Sequence, residues 1–137
     1  MTHPDLVAKK LVEIETFIAQ LREHGRPDAI GQDLVQERFI EHTLQIAIQA
    51  VLDIASHVVS DDKLGEPRTN RELFDLLRNH GWISEELCRT LHQVVGFRNI
   101  VVHGYGVVDP EIVRDVAENH AGDLLEFVAE IRAHLES

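Results

Sequence analysis

Apolar residues recur along this chain at intervals of three and four, the spacing that draws one stripe down a helix, and not at the interval of two that marks a strand. Val7, Leu11, Ile14, Ile18 and Leu21 form the first such stripe. Thr2-His3-Pro4-Asp5 reads as its start, with proline suited to the first turn, and Gly25-Arg26-Pro27 ends it. The second and longest helix is expected from near Asp33 to about Ser60. Ile40, Leu44, Ala47, Val51, Ile54, Ala55 and Val58 mark one side, and Ile48, Leu52 and Val59 widen the apolar surface beyond what a single neighbour could cover, so this helix should lie centrally. Its remaining stripe, His42, Gln45, Gln49 and Asp53, is polar but mostly uncharged, which fits either a solvated face or one wall of a groove.

Gly65 and Pro67 make a loop of 61–68, and Thr69-Asn70-Arg71-Glu72 then has the spacing of a capping box, opening a short helix through Leu73, Phe74, Leu76 and Leu77 that Gly81 stops. Trp82 and Ile83 precede Ser84, an N-cap for a fourth helix whose first turn carries Glu85 and Glu86. Trp82 reads as an anchor in the core, with base stacking as the alternative. After a connector at Gly106-Val107-Val108, the order Asp109-Pro110-Glu111 starts a fifth helix with the buried stripe Val113, Val116, Ala117, Leu124, Val128, Ile131 and Leu135. Without an alternating strand pattern, a glycine-rich phosphate loop or an internal repeat, the expectation is an all-α, up-and-down bundle of about five helices, a single domain over 1–137.

Composition narrows the function classes. A 137-residue chain can bury roughly two-thirds of its unfolded surface. No leader-like start and no apolar run long enough to cross a bilayer stands out, so a cytoplasmic protein that does not engage a membrane is expected. The lone Cys88 forbids an intrachain disulfide and reads as a small core residue. Nine histidines raise the question of a metal, but no Glu-x-x-His, Cys-x-x-Cys or His-Glu-x-x-His is present, so no metal site and no cofactor are expected. The formal charge of −11 argues against nonspecific long-range attraction of nucleic acid. Any bound polyanion needs a local positive cleft.

One stretch supplies that local charge. From Leu87 to Val108 there is no Asp or Glu, while Arg89, His92, Arg98 and His103 all fall inside it. On a helix wheel Arg98 lies in the middle of the apolar face made by Leu87, Leu91, Val94, Val95, Val101 and Val102. A guanidinium is almost never neutralised, so it must meet an acid or face a cleft that admits an anion. Asp53 is the carboxylate that a purely structural reading would pair with it. His103 precedes Gly104, a natural helix C-cap, where an imidazolium gains from the helix dipole. Arg98 and His103 are about 140° apart on an ideal helix, so either the helix breaks at His103 or the site is completed across a symmetric interface. Gly96, Phe97 and Ile100 lie away from the Arg98 face, which would leave this helix needing a partner as well as a core.

Arg98-Asn99, then His103 after four intervening positions, then Tyr105, closely resembles the signature of HEPN-domain ribonucleases, and the added tyrosine resembles the HepT-type toxins of toxin–antitoxin pairs. The position of the motif late in an all-helical chain, after a long apolar helix (46–59), extends the resemblance to essentially the whole chain. The resemblance implies a homodimeric HEPN-like bundle that cleaves single-stranded RNA without a metal, using the substrate 2′-hydroxyl as nucleophile. It implies His103 as general acid or base, Arg98 as the phosphate ligand, Asn99 as their support, and Tyr105 as the residue that a minimal nucleotidyltransferase antitoxin blocks with AMP; a hetero-oligomer with that antitoxin is the accompanying expectation. Two other classes stay open: a non-catalytic HEPN-like module that binds a nucleotide or partner, and a structural helical dimer in which Asp53 neutralises Arg98.

Overall fold

The computed structural model describes residues 3–98 and 109–137 in full and the backbone alone for 99–103. Among these residues it is helical throughout: α1 (Pro4–His24), a single 3₁₀ turn (Pro27–Ala29), α2 (Leu34–Asp61), α3 (Asn70–Asn79), α4 (Glu85–His103), α5 (Pro110–Asn119) and α6 (Ala121–Glu136). Most boundaries fall where the local chemistry puts them. Asp33 accepts from the Val35 and Gln36 amides at the start of α2, and Asp109 accepts from Glu111 at the start of α5, with Pro110 in the first turn. Thr69 and Glu72 complete their reciprocal capping box. Ser84 Oγ accepts from the Leu87 amide at 3.1 Å to open α4, and Glu130 of α6 in turn accepts from the Ser84 amide at 2.6 Å. Gly81, at φ +78°, supplies the left-handed step that ends α3.

α2 is the centre. It touches α1, α3, α4, α5 and α6, and its residues Ile40, Leu44, Ala47, Ile48, Val51, Leu52, Ile54, Ala55, Val58 and Val59 are all buried. The sequence reading found no apolar run long enough for a bilayer, yet α2 is long and apolar enough by length and composition. Its most apolar window is 61% buried by the surrounding helices, the condition of a core helix. α1 and α6 flank it and are joined by the two-pronged Arg132–Glu15 pair, at 2.7 and 3.2 Å. α3 leans on α2 and α4, and its Phe74 meets Phe127 of α6 edge to face, with ring centroids 6.4 Å apart.

The helix count differs from the expectation of about five. The segment expected as one helix from Asp109 onward breaks at His120, between α5 and α6. His120 lies at φ −120°, ψ −6°, with Nδ1 2.9 Å from Asp123 Oδ2 and Nε2 3.6 Å from Asp115 Oδ2, so one ring bridges both sides of the break. α5 is anchored separately: Arg114 donates to the Pro27 and Ile30 carbonyls at 3.0 and 2.7 Å, pinning it over the 3₁₀ turn. The break lets α5 follow that turn while α6 runs along α1. The apolar stripe keeps its phase through residues 117, 121 and 124, which is why periodicity alone shows no boundary there.

Trp82 is buried and stacks on His134 of α6 at a centroid distance of 3.8 Å, so it anchors the α3–α4 corner to α6. Phe97 corrects a second expectation: it is buried within this chain, at 3% exposure, and calls for no partner. Since Phe74 and Phe127 are both fully buried and in contact, Phe127→Ala is expected to cost about 3–5 kcal/mol. Reversible denaturant unfolding of the variant against the wild type measures it.

Candidate functional site

α4 carries the chemistry singled out in the sequence. Leu87, Leu91, Val94 and Val95 are buried as the wheel requires, and Arg98 follows them on the same face, half-buried. Its Nη2 donates to Gln49 Oε1 of α2 at 2.8 Å. Gln49 Nε2 donates in turn to Asp53 Oδ1 at 2.9 Å, and Asp53 Oδ2 lies 3.7 Å from Lys10 Nζ of α1. The direct Asp53–Arg98 pair of the structural reading is therefore not formed. Asp53 sits one helical turn further along α2 and is engaged by Gln49 and Lys10.

The substitution of an amide for a carboxylate at that contact has an electrostatic consequence. Gln49 orients the guanidinium without cancelling its charge, and among the described residues no carboxylate pairs with Arg98. Among the same residues Arg98 Nε is buried and lacks a hydrogen-bond partner, a state that costs about 1–3 kcal/mol. A buried donor of this kind on an uncancelled cation is suited to an incoming oxyanion. Gln49, which meets Arg98, belongs to the polar stripe of α2, of which His42 and Asp53 prove exposed and Gln45 and Gln49 half-buried. The adjacency of an uncharged polar stripe to an acid-free helix was the signal available for that contact.

The four cations of the acid-free stretch do not gather at one point. Arg89 is exposed, and His92 turns to α3, with Nε2 2.9 Å from Asp75 Oδ1. The α4 backbone is helical at both Arg98 and His103, so no break separates the two. The side chains of Asn99 and His103, and Gly104, Tyr105 and the 106–108 connector, lie outside the described residues.

A hollow of about 540 Å³ on the described surface lies elsewhere. It lies between the start of α4 and α6 and is lined by Ser84, Thr90 and the carboxylates Glu86, Asp123, Glu126 and Glu130. Hydrogen bonding to Glu130 is the main influence that holds the Glu126 carboxyl above its ordinary value, with burial second. Four acids there repel a phosphate-bearing ligand, so size does not make this hollow the site.

Residues 10–131 match the family model described as ribonuclease HepT-like. The chain is 31% identical to the mRNA nuclease HepT of Shewanella oneidensis, over 94% of this chain and 98% of that protein. It is 36% identical to the tRNA nuclease HepT of Aphanizomenon flos-aquae, over 80% of this chain and 76% of that one. Among solved structures, the tri-AMPylated HEPN toxin of Shewanella oneidensis in complex with its MNT antitoxin superposes with a TM-score of 0.85 at 31% identity, covering 94% of this chain and 98% of that one. With nearly the whole chain matched in sequence and in fold, the protein belongs to the HepT-like ribonuclease family.

Proposed function

We propose that the chain is a metal-independent endoribonuclease, the toxin of a toxin–antitoxin pair, and that Arg98 and His103 carry the reaction. The observation that carries this reading is the state of Arg98: half-buried, oriented by a neutral amide, uncancelled by any described carboxylate, and on the helix that continues to His103. The family of nucleases to which the chain belongs supports it.

In this mechanism the substrate 2′-hydroxyl attacks the adjacent phosphorus. The P–O2′ bond forms, the P–O5′ bond breaks, and the products are a 2′,3′-cyclic phosphate and a free 5′-hydroxyl. The imidazole of His103 takes the 2′ proton or returns one to the departing O5′, work for which the ordinary histidine pKa is well matched. Arg98 binds the nonbridging oxygens and offsets the charge that grows on them. Asn99 orients His103 or the RNA backbone. Because Arg98 and His103 lie about 140° apart on one helix, the two act on one phosphate across a two-fold homodimer interface.

Tyr105 is the control point. A minimal nucleotidyltransferase antitoxin would join the tyrosine oxygen to the α-phosphate of ATP and release pyrophosphate, placing a bulky anion beside the cationic site. The AMPylated relative in complex with its antitoxin supports this assignment.

Purified wild type, with its mass showing Tyr105 unmodified, should cleave single-stranded RNA in EDTA and leave cyclic-phosphate or 3′-phosphate ends. His103→Ala and Arg98→Ala should each lose about 10²-fold or more, and RNA with a 2′-deoxy sugar at the scissile position should resist cleavage. Cleavage that needs an added divalent ion, or that survives His103→Ala, would overturn the mechanism. Arg98→Met removes a buried Nε donor that lacks a described partner and, against that gain, loses the Gln49 contact, so its thermal midpoint should stay close to that of the wild type; a fall of several degrees would mark Arg98 as a structural residue. Co-expression with the cognate nucleotidyltransferase should add AMP to the wild type and silence it, whereas Tyr105→Phe should gain no mass there and stay toxic.

A further inference from the structure

Motif spacing along the chain gave no metal site, but the fold brings three donors together from two helices. Cys88 and His92 are one turn apart on α4, and Asp75 faces them from α3. Cys88 Sγ lies 3.5 Å from Asp75 Oδ1 and 3.6 Å from His92 Nε2, and His92 Nε2 lies 2.9 Å from the same Asp75 oxygen. In a tetrahedral site with metal–sulfur bonds of about 2.3 Å and metal–nitrogen or metal–oxygen bonds of about 2.0–2.1 Å, neighbouring donors stand about 3.3–3.6 Å apart. Both edges that involve sulfur already have that length. The imidazole–carboxylate edge, now a hydrogen bond, must open by about 0.4 Å, a small side-chain rotation for two groups that are not fully buried.

We propose that Asp75, Cys88 and His92 form a binding site for a divalent metal ion of the zinc class, with a solvent molecule as the fourth ligand. A thiolate with an imidazole selects Zn²⁺ or Co²⁺ over Mg²⁺ and Ca²⁺, which take oxygen donors. Cys88 is fully buried, which limits ligand exchange, while the His92 and Asp75 side chains, 19% and 34% exposed, leave an open edge for the ion and its water. Binding releases one proton: the thiol proton leaves to solvent, while the imidazole proton moves from Nε2 to Nδ1.

Without the ion, burial chiefly, and hydrogen bonding to Asp75, push the Cys88 thiol up to about 11, so it rests as a thiol between Asp75 and His92. Among the described residues Arg78 is the cation against the cluster, with Nη1 3.7 Å from Asp75 Oδ1 and 3.9 Å from Cys88 Sγ. Its side chain is 33% exposed and its Nε and Nη2 also donate to Asn79 Oδ1. Cys88 and His92 lie ten and six residues before Arg98 on α4, and the site is apart from the proposed cleavage chemistry. A bound ion would staple α3 to the helix that presents Arg98.

The test uses the full-length chain without an affinity tag, stripped with a chelator and titrated with Co²⁺. The expected result is a thiolate-to-cobalt charge-transfer band with intense tetrahedral ligand-field bands, saturating at one ion per chain and displaced by Zn²⁺. Cys88→Ala should abolish the charge-transfer band, and His92→Gln and Asp75→Asn should each weaken binding at least tenfold. Zn²⁺ should raise the thermal midpoint of the wild type and leave that of His92→Gln unchanged. Circular dichroism of His92→Gln, at a position 19% exposed, establishes that loss of binding is not loss of fold. A pale octahedral spectrum, as surface histidines give, or a charge-transfer band that persists in Cys88→Ala, would overturn the site.

Discussion

The constraint on which the structure depends is the apolarity of α2. A 28-residue helix that is apolar around more than one face cannot be covered by one neighbour, and each large aliphatic side chain left in water forfeits about 1.5–3 kcal/mol. α1, α3, α4, α5 and α6 each take a share of that surface. The candidate site lies where this apolar cover gives way, along the stripe on which Gln49 and Asp53 replace aliphatic residues. Arg98 therefore reaches a polar group from the face of α4 whose other described members, Leu87, Leu91, Val94 and Val95, are buried.

The identity of residue 49 decides what that arginine is free to do. A carboxylate at the Gln49 position would form an ion pair with Arg98 and withdraw its charge from any ligand. An amide of the same length keeps the guanidinium aimed but uncommitted, and passes its own donor to Asp53, where Lys10 is also close. The acid of the network is thereby held one turn away from the cation it could have neutralised.

How much of this was legible follows from where each determinant resides. Caps and turns depend on residues adjacent in sequence, so Asp33, Thr69 with Glu72, Ser84 and Asp109 announce their helices. The break at His120 depends on Arg114 reaching carbonyls at Pro27 and Ile30, far away in the chain, and the stripe does not change phase there. A helix wheel placed Phe97 on an outer face but could not say that this chain's own core would fill that side. The Arg98 position was legible as an anomaly, a cation on an apolar face, whereas its partner was not, since Gln49 and Asp53 are equally polar and only the three-dimensional register of α2 against α4 distinguishes them. Cys88 looked like an isolated small core residue because Asp75, which joins it and His92, comes beside them only when α3 lies against α4.

The acidic hollow at the start of α4 bears on how a nucleic acid could lie on the molecule. Glu86 and Arg98 are separated by twelve residues of one helix, about 18 Å, roughly two screening lengths at physiological salt. α4 thus carries anionic groups at one end and cationic groups towards the other, a graded rail along which a phosphate chain meets rising repulsion in one direction. On the proposed reading, a strand bound at Arg98 would lie across this helix rather than along it towards Glu86.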